Sequence, residues 1–237
     1  MRINVHAGHN PAGKVACGAV GLINESTENR RVKEEVISQL RELGHTVYDC
    51  TCDNGTGQTD VLQKIVANCN AHDVDLDVSI HFNSGAGDQA GNDKTTGVEA
   101  YVYSASSAAK SYAEKICQAV ADMGFRNRGV KYSTTLYVLK HTKAPAVLVE
   151  CCFVDDRDDV ELYDYQKMAA AIVYGITGKS VQESQETAPA DPGEETPVGD
   201  SKELYRVQVG AYGVKGNADT MKARLQAAGF DAIIVKA

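Results

Sequence analysis

Apolar side chains recur at helix spacing and at strand spacing in turn along the first 180 residues. Within residues 26–43 they fall on one helical face, and Gly44 is a suitable stop. The same reading predicts further helices over residues 61–71, 107–123 and 165–176, and strands over residues 2–6, 45–50, 76–82, 97–103 and 146–149. This alternation predicts an α/β fold with a mixed, mostly parallel sheet and helices on both faces.

The pattern stops near residue 180. The stretch 180–202 reads SVQESQETAPADPGEETPVGDSK, with three prolines, six acids and almost no large apolar side chain. Such a composition cannot bury enough surface to offset the entropy of ordering, so it predicts a linker. The predicted organisation is a domain over 1–179, a linker over 180–202 and a tail over 203–237. The tail pattern predicts a small βαβ unit, too small for secure folding alone.

Charge and composition narrow the function classes. The chain has 24 basic and 32 acidic residues, a formal net charge of −8, which argues against nucleic-acid binding by general electrostatics. No apolar run reaches the length of about 18–20 residues that a membrane span needs. The first residues lack the apolar segment of a secretory signal. We therefore interpret the seven cysteines as reduced thiols of a protein made in the cytosol.

Four ionisable residues lie at or near the ends of predicted elements: His9, Glu25, His81 and Glu150. Chemistry in open α/β sheets collects at strand ends. Two imidazoles and one carboxylate form the ligand set of hydrolytic zinc sites, and a further carboxylate can then act as acid and base. The chain has no HExxH motif, so spacing alone leaves this zinc hypothesis open.

Each of the four residues also has an ordinary interpretation. A single histidine at a strand end is usually a surface or hydrogen-bonded residue. Glu25 is a candidate helix-start acid, although Glu28 suits that role better. Glu150, predicted to follow four apolar residues directly, is harder to explain without a function, because desolvating a carboxylate costs free energy.

Five segments, in this order, resemble the zinc-dependent N-acetylmuramoyl-L-alanine amidases of the amidase-3 type. They are INVHAGHN, GLINESTEN, ANCNAHDVDLDVSIHFN, LYVLKHTKAPAVLVECCF and YQKMAAAIVYGI, and the resemblance covers about residues 1–178. It implies that His9, Glu25 and His81 bind one Zn²⁺ per catalytic domain and that Glu150 is the catalytic carboxylate. The family's glutamate lies four residues before an asparagine, and Asn29 stands four after Glu25.

The resemblance also implies two weaker substrate contacts. His141 is a candidate donor near the oxyanion, and Asn83 is a candidate for orienting a ligand or the substrate. The alternative for Asn83 is a turn residue in Asn83-Ser84-Gly85.

The chain departs from the family pattern at three places. His6 stands where the first strand usually ends in Asp, and it is therefore a competing candidate ligand. Opposite parity along an extended strand directs His6 away from the side of His9. Thr51-Cys52 replaces a common Thr-Arg, and the vicinal pair Cys151-Cys152 replaces the small residue and glycine after the catalytic glutamate. None of these changes removes an implied ligand or acid.

The implied reaction is hydrolysis of the amide between N-acetylmuramic acid and L-alanine in peptidoglycan by zinc-activated water. The implied setting is either a phage endolysin or a bacterial autolysin released when the mother cell lyses. Two alternatives stay open. One is a zinc endopeptidase that cuts within the stem peptide, and the other is a non-catalytic wall-binding protein.

The tail resembles the first half of a SPOR domain, a module that binds peptidoglycan glycan strands. Tyr205, Gln208 and Tyr212 are its candidate glycan contacts, with ordinary strand packing and turn chemistry as the alternative. The missing second half leaves two options: a truncated remnant, or self-association of two tails. The expected partner is peptidoglycan, with no nucleic acid and no membrane.

Overall fold

The computed structural model of the chain describes residues 1–181 together with residues 222, 226, 233 and 234. The chain forms two compact units, Met1–Pro189 and Ala190–Ala237. Nearly all of the predicted linker over 180–202, and all of the predicted βαβ tail except those four residues, lie outside the described residues. The fold below is that of residues 1–181.

Twelve elements follow one another in this part of the chain. They are β1 (Arg2–Ala7), α1 (Glu25–Glu42), β2 (Thr46–Asp49), α2 (Gln58–Asn70), β3 (Leu76–Asn83), β4 (Val98–Val102), α3 (Lys110–Ala121), β5 (Asn127–Tyr132), α4 (Tyr137–His141), β6 (Ala146–Phe153), α5 (Arg157–Leu162) and α6 (Tyr165–Thr177). None of these helices is long and apolar enough to cross a membrane.

The strands form one six-stranded sheet in the order β2-β1-β3-β6-β4-β5. Every neighbouring pair is parallel except β4 and β6, which are antiparallel. The predicted mixed, mostly parallel sheet is confirmed. Because β4 and β5 run opposite to the other strands, their amino ends lie at the same sheet edge as the carboxyl ends of β1, β3 and β6. We call this edge the carboxyl edge.

Helices cover both faces of the sheet, as the sequence predicts. On one face, alternate strand residues such as Val5, Ile80 and Val149 pack with α1, α3 and α6 in the larger core. On the other face, a smaller core joins Leu148 to side chains of α2 and α4. This second face also carries polar side chains, because the residues that alternate with the larger core include Asp77, His81 and Glu150.

The structure corrects several sequence predictions. The pattern missed β5, α4 and α5, which are short and carry no long periodic signal. Glu25 is the first residue of α1, not a residue ahead of it. β6 continues to Phe153, so Glu150 lies inside the strand instead of following it. The apolar run ends at Val149 because the face that Glu150 points to is polar there, while the backbone pairing with β3 continues.

Candidate metal and catalytic site

His9 lies two residues beyond β1. Its φ of 61° is a left-handed backbone conformation that residues other than glycine rarely adopt. α1 holds this turn: Asn29 Nδ2 donates to the Gly8 carbonyl at 3.1 Å, and Arg30 Nη2 donates to the His9 carbonyl at 2.9 Å. Strained backbone persists only where the surroundings fix it, and it is common at functional sites. The Glu-x-x-x-Asn spacing therefore has a structural meaning, since Asn29 anchors the loop that presents His9.

Glu25 opens α1 behind Asn24, whose side chain caps the helix by accepting from Thr27 N at 3.3 Å. The carboxylate is buried and fixed by two backbone N–H groups: Ala19 N donates to Oε2 at 2.8 Å and Phe82 N donates to Oε1 at 3.2 Å. Burial raises the pKa of Glu25, but hydrogen bonds from His81 and His9 outweigh it and hold the pKa well below its usual range. Glu25 is thus an oriented, ionised carboxylate.

The structure brings His9, Glu25 and His81 together, with one donor atom from each within 4.8 Å of the others. Glu25 Oε1 lies 2.9 Å from His81 Nδ1 and 3.4 Å from His9 Nε2. Tetrahedral zinc ligands at bond lengths of about 2.0–2.1 Å lie about 3.3 Å apart, so the spacing and the donor set fit Zn²⁺. No other His, Cys, Asp and Glu side chains among the described residues form such a group.

Two glycines make room for this group. A Cβ atom at Gly8 would overlap the His81 ring, and one at Gly18 would overlap the carboxylate of Glu25 and approach the ring of His9. The atoms that would clash are side-chain ends, but they are not free to move. Two backbone N–H groups fix the carboxylate of Glu25, and His81 Nδ1 is within hydrogen-bond distance of that carboxylate. The two glycines are therefore part of the packing that sets the positions of His9, Glu25 and His81.

Glu150 lies beside the three-residue group, one strand away from His81. It pairs in register with His81 of β3 on one side and with Glu99 of β4 on the other, and directly paired residues project from the same face. Its Oε2 atom is buried without a hydrogen-bond partner among the described residues. Burial, together with the negative charges of Glu25 and Glu99, raises the pKa of Glu150 to about 8. This arrangement suits a carboxyl group that takes up and returns a proton.

A bulge in β6 explains the vicinal cysteines. Three residues of β3, from His81 to Asn83, lie opposite four residues of β6, from Glu150 to Phe153. Cys151 and Cys152 consequently both pack into the larger core, while Phe153 returns toward the face of Glu150. Burial raises the pKa of both thiols well above its usual value. All seven cysteines are free.

A polar network adjoins Glu150 that sequence reasoning missed. Glu99 is buried and accepts hydrogen bonds from Asn83 Nδ2 at 2.9 Å, Tyr101 OH at 2.9 Å and Arg128 Nε at 2.7 Å. The structure thus places Asn83 next to the site, and its Oδ1 also accepts from Ser84 N, as a turn residue would. A single carboxylate between Val98 and Ala100 was the available signal, of the same kind that singled out Glu150.

The structure does not bring His141 to the group. Asn70, at the end of α2, donates from Nδ2 to the His141 carbonyl at 2.9 Å. α2 leads into the amino end of β3, and Leu76 and His81 are about 17 Å apart along an extended strand. His141 is exposed, with its ring 4.3 Å from that of Tyr137. It lies near the opposite edge of the sheet.

The competing candidate His6 also stays outside the group. Its side chain is fully buried, and neither ring nitrogen has a hydrogen-bond partner among the described residues. Burial, and then the charge of His81, lower the pKa of His6 to about 3, so its ring is neutral. The candidate glycan contacts Tyr205, Gln208 and Tyr212 lie outside the described residues.

Comparison with protein families gives two matches. A family model described as Amidase_3, N-acetylmuramoyl-L-alanine amidase, matches residues 3–178. A second model, described as the SPOR domain, matches residues 197–237. The first match covers all six strands except Arg2, the first residue of β1, and includes every residue of the candidate site.

Similar proteins and structures agree with the first match. An uncharacterized protein of Clostridium perfringens is 37% identical over 69% of this chain and 47% of its own length. The N-acetylmuramoyl-L-alanine amidase CwlM of Bacillus licheniformis is 29% identical over 75% of this chain and 63% of its own length. The catalytic domain of the CD27L endolysin targeting Clostridia difficile superimposes with a TM-score of 0.67 and 26% identity, over 76% of this chain and 98% of that domain. The chain spans about half the length of the first curated relatives that it matches.

Proposed function

Because the chain belongs to the Amidase_3 family of N-acetylmuramoyl-L-alanine amidases, we propose that it hydrolyses the amide between N-acetylmuramic acid and L-alanine in peptidoglycan, using one Zn²⁺ per catalytic domain. One observation carries the proposal: His9, Glu25 and His81 converge within 4.8 Å, beside Glu150, whose Oε2 atom is buried. Three protein ligands with an adjacent acid–base group are the usual set of a catalytic, rather than a structural, zinc site.

In this proposal each residue has one role. His9, Glu25 and His81 hold the ion, which in such sites supplies Lewis acidity that activates water and polarises a carbonyl. The backbone N–H groups of Ala19 and Phe82 fix the Glu25 carboxylate, so the ligand geometry needs little reorganisation. Glu150 takes the proton of the attacking water and delivers it to the leaving amine of L-alanine.

In the metal-free protein, burial and then the negative charges of Glu25 and Glu99 raise the pKa of Glu150 to about 8, a direction that favours the second half of this cycle. A carboxyl group that holds a proton near neutral pH can give it to an amine as the carbon–nitrogen bond breaks. Glu99 lies directly opposite Glu150, and its charge, like that of Glu25, favours the protonated form.

We further propose that the protein acts on the cell wall, as an endolysin or as an autolysin, and that the SPOR-matched segment 197–237 contributes glycan binding through Tyr205, Gln208 and Tyr212. The tail segment 203–237 carries five basic and three acidic residues. It is the one predicted segment whose charge favours contact with a polyanionic wall. Self-association of two tails is part of the same proposal.

The second candidate function is a zinc endopeptidase that cuts within the stem peptide. Mass spectrometry of purified peptidoglycan after digestion, with and without a chelator, separates the two. The amidase releases intact stem peptides with new L-alanine amino termini, and the chelator abolishes the release. New amino termini at any other stem residue would refute the amidase assignment. Binding to the wall without any cleavage would favour the non-catalytic alternative.

Substitution tests the assigned roles. In Glu150→Gln we expect hydrolysis to fall by at least about 100-fold, because acid–base catalysis contributes roughly that much, while one zinc per chain is retained. His81→Ala should instead lose zinc. Both are measured as turnover of a soluble muropeptide and as zinc content by elemental analysis. The control is Glu114→Gln, an exposed helix residue, which should behave like the parent chain. Near-normal turnover in Glu150→Gln would remove Glu150 from the mechanism.

A further inference from the structure

Four charged or ionisable residues form a row across the carboxyl edge of the sheet. His81 of β3 pairs with Glu150 of β6, and Glu150 pairs with Glu99 of β4. Arg128 of β5 completes the row through its ion pair with Glu99. The first two belong to the proposed hydrolytic site. Glu99 and Arg128 take no part in the metal binding or proton transfer proposed for that reaction.

The guanidinium of Arg128 is held from two sides. Its Nε donates to Glu99 Oε2 at 2.7 Å, and its Cζ lies 4.9 Å from the centre of the Phe153 ring. Phe153 pairs with Asn83, and Asn83 in turn donates to Glu99. The side chain therefore extends from the edge strand β5 across β4 to the end of β6, the strand that also carries Glu150.

This attachment leaves the outer part of the guanidinium available. Within the described residues, Nη1 and Nη2 of Arg128 donate to no protein acceptor. The side chain is 30% exposed, whereas that of Glu99 is 4% exposed. A guanidinium has five N–H donors in a planar fork. With only Nε engaged, the remaining fork can grip a carboxylate with two parallel hydrogen bonds.

If Arg128 served only to neutralise Glu99, part of this geometry would have no explanation. Charge neutralisation alone does not require the ring of Phe153 beneath the guanidinium or the fixing of Glu99 by Asn83 and Tyr101. Both features hold the fork in one orientation before any ligand arrives. Such preorganisation lowers the entropic cost of binding.

We propose that Arg128 forms a carboxylate-binding subsite beside the hydrolytic group, and that its ligand is the free α-carboxylate of the glutamate that follows L-alanine in the stem peptide. The inference rests on the proposed function, since it assumes that the amide at L-alanine lies next to Glu150. Two strand spacings of about 4.8 Å separate β6 from β5, and each residue of an extended peptide spans about 3.5 Å. A group one residue beyond the alanine is therefore within reach of the guanidinium.

The chemistry of the second stem residue makes this subsite a specificity determinant. The α-carboxyl group of that residue occurs either free or as an amide. An amide presents one oxygen and carries no charge, so it cannot replace a carboxylate in a charge-assisted pair. The proposal predicts that the protein prefers walls in which this carboxyl group is free.

The test uses the full chain loaded with zinc and two muramoyl tetrapeptides that differ only in a free or amidated α-carboxyl group on the second residue. We expect kcat/KM to be at least about tenfold higher for the free acid, the size of effect that a charged hydrogen bond gives, with most of the difference in KM. Arg128→Gln should reduce the ratio to about one. Arg128→Lys keeps a charge for Glu99 but loses the fork, and should retain only a small preference.

The control is Arg126→Gln, an exposed arginine that directly precedes β5, and it should keep the full preference. Equal cleavage of both substrates by the parent chain, or an equal loss on both substrates in Arg128→Gln and Arg128→Lys, would overturn the subsite. If the bond between muramic acid and L-alanine is cleaved in neither substrate, the proposed function fails, but the subsite can still be tested. Calorimetric titration of the same two muropeptides into zinc-loaded Glu150→Gln then decides the subsite, since it measures the carboxylate preference without catalysis.

Discussion

At the scale of single residues, Gly18 lies against both the carboxylate of Glu25 and the ring of His9. A methyl group there must displace one of two proposed ligands. We expect Gly18→Ala to weaken zinc affinity by about 10–100-fold, as losing the support of a ligand typically does, while the chain stays folded. Zinc competition with a chromophoric chelator measures this.

The matched control for Gly18→Ala is Gly57→Ala. Gly57 has extended backbone with φ of 177°, and a Cβ added there would meet nothing within 4 Å. Unchanged zinc affinity in Gly18→Ala would show that the loop adjusts and that the glycine does not set the ligand positions.

His6 should make stability depend on pH. Burial and the charge of His81 lower its pKa from the ordinary 6.5 to about 3, so the unfolded chain binds a proton at a pH where the folded chain does not. Stability is therefore lost as the pH falls below about 6.5 toward 3. One such proton contributes up to about 1.4 kcal/mol per pH unit.

His6→Leu removes this proton and should flatten the dependence by that amount. Urea unfolding at several pH values between 7 and 4, in the presence of a chelator, measures the difference between the two chains. All other titrating groups are common to both chains and cancel. Parallel pH curves would mean that His6 is protonated in the folded state.

The residues proposed to carry the chemistry differ in how clearly the sequence indicates them. His9, Glu25, His81 and Glu150 lie in segments that resemble a family, so the sequence singles them out. Glu99 and Arg128 lie in segments without such a motif, and each has an ordinary reading as a surface charge. Only the pairing of β4 with β6 shows that Glu99 is buried beside Glu150.

At the scale of elements, α6 packs against α3 at Gly175. A Cβ atom there would come within 2.6 Å of the Cα atom of Ile116, which is backbone and cannot rotate away. Alanine favours a helix over glycine by about 1 kcal/mol, but overpacking costs about 1–3 kcal/mol. We expect Gly175→Ala to lower the free energy of unfolding, as measured by urea titration.

Lys167→Ala, on the exposed side of the same helix, controls for changes in helix propensity and should leave the unfolding midpoint nearly unchanged. A Gly175→Ala chain more stable than its parent would mean that α3 and α6 separate easily. The predicted close packing of the two helices would then be wrong.

The elements themselves were predictable to different degrees. Long amphipathic helices such as α1 and buried strands such as β3 can be predicted from the spacing of their apolar residues, because one face of each must be apolar. β5 is an edge strand with no fully buried residue, so its sequence lacks that signal. β6 was predicted too short because Glu150, which projects from the polar face of the sheet, interrupts the apolar run at the place where the site begins.

At the scale of the whole molecule, every residue of the proposed site and of the row ending at Arg128 lies within Met1–Pro189. We expect a chain ending at Pro189 to keep the thermal midpoint within about 2 °C, to bind one zinc and to cleave a soluble muropeptide at the parent rate. Its binding to insoluble walls should weaken if the tail binds glycan. A truncated chain that loses muropeptide cleavage would show that the catalytic unit needs the rest of the chain.

The sequence by itself determined the alternation of helices and strands, because the period of apolar positions reports which face each element buries. Through its resemblance to a family, it also indicated the four residues proposed for zinc binding and proton transfer. Tertiary structure alone decided strand order, the reversed direction of β4 and β5, and the bulge that buries both vicinal cysteines. These features depend on packing between segments far apart in the chain, and they place Glu99 and Arg128 beside Glu150 although no local pattern links the three.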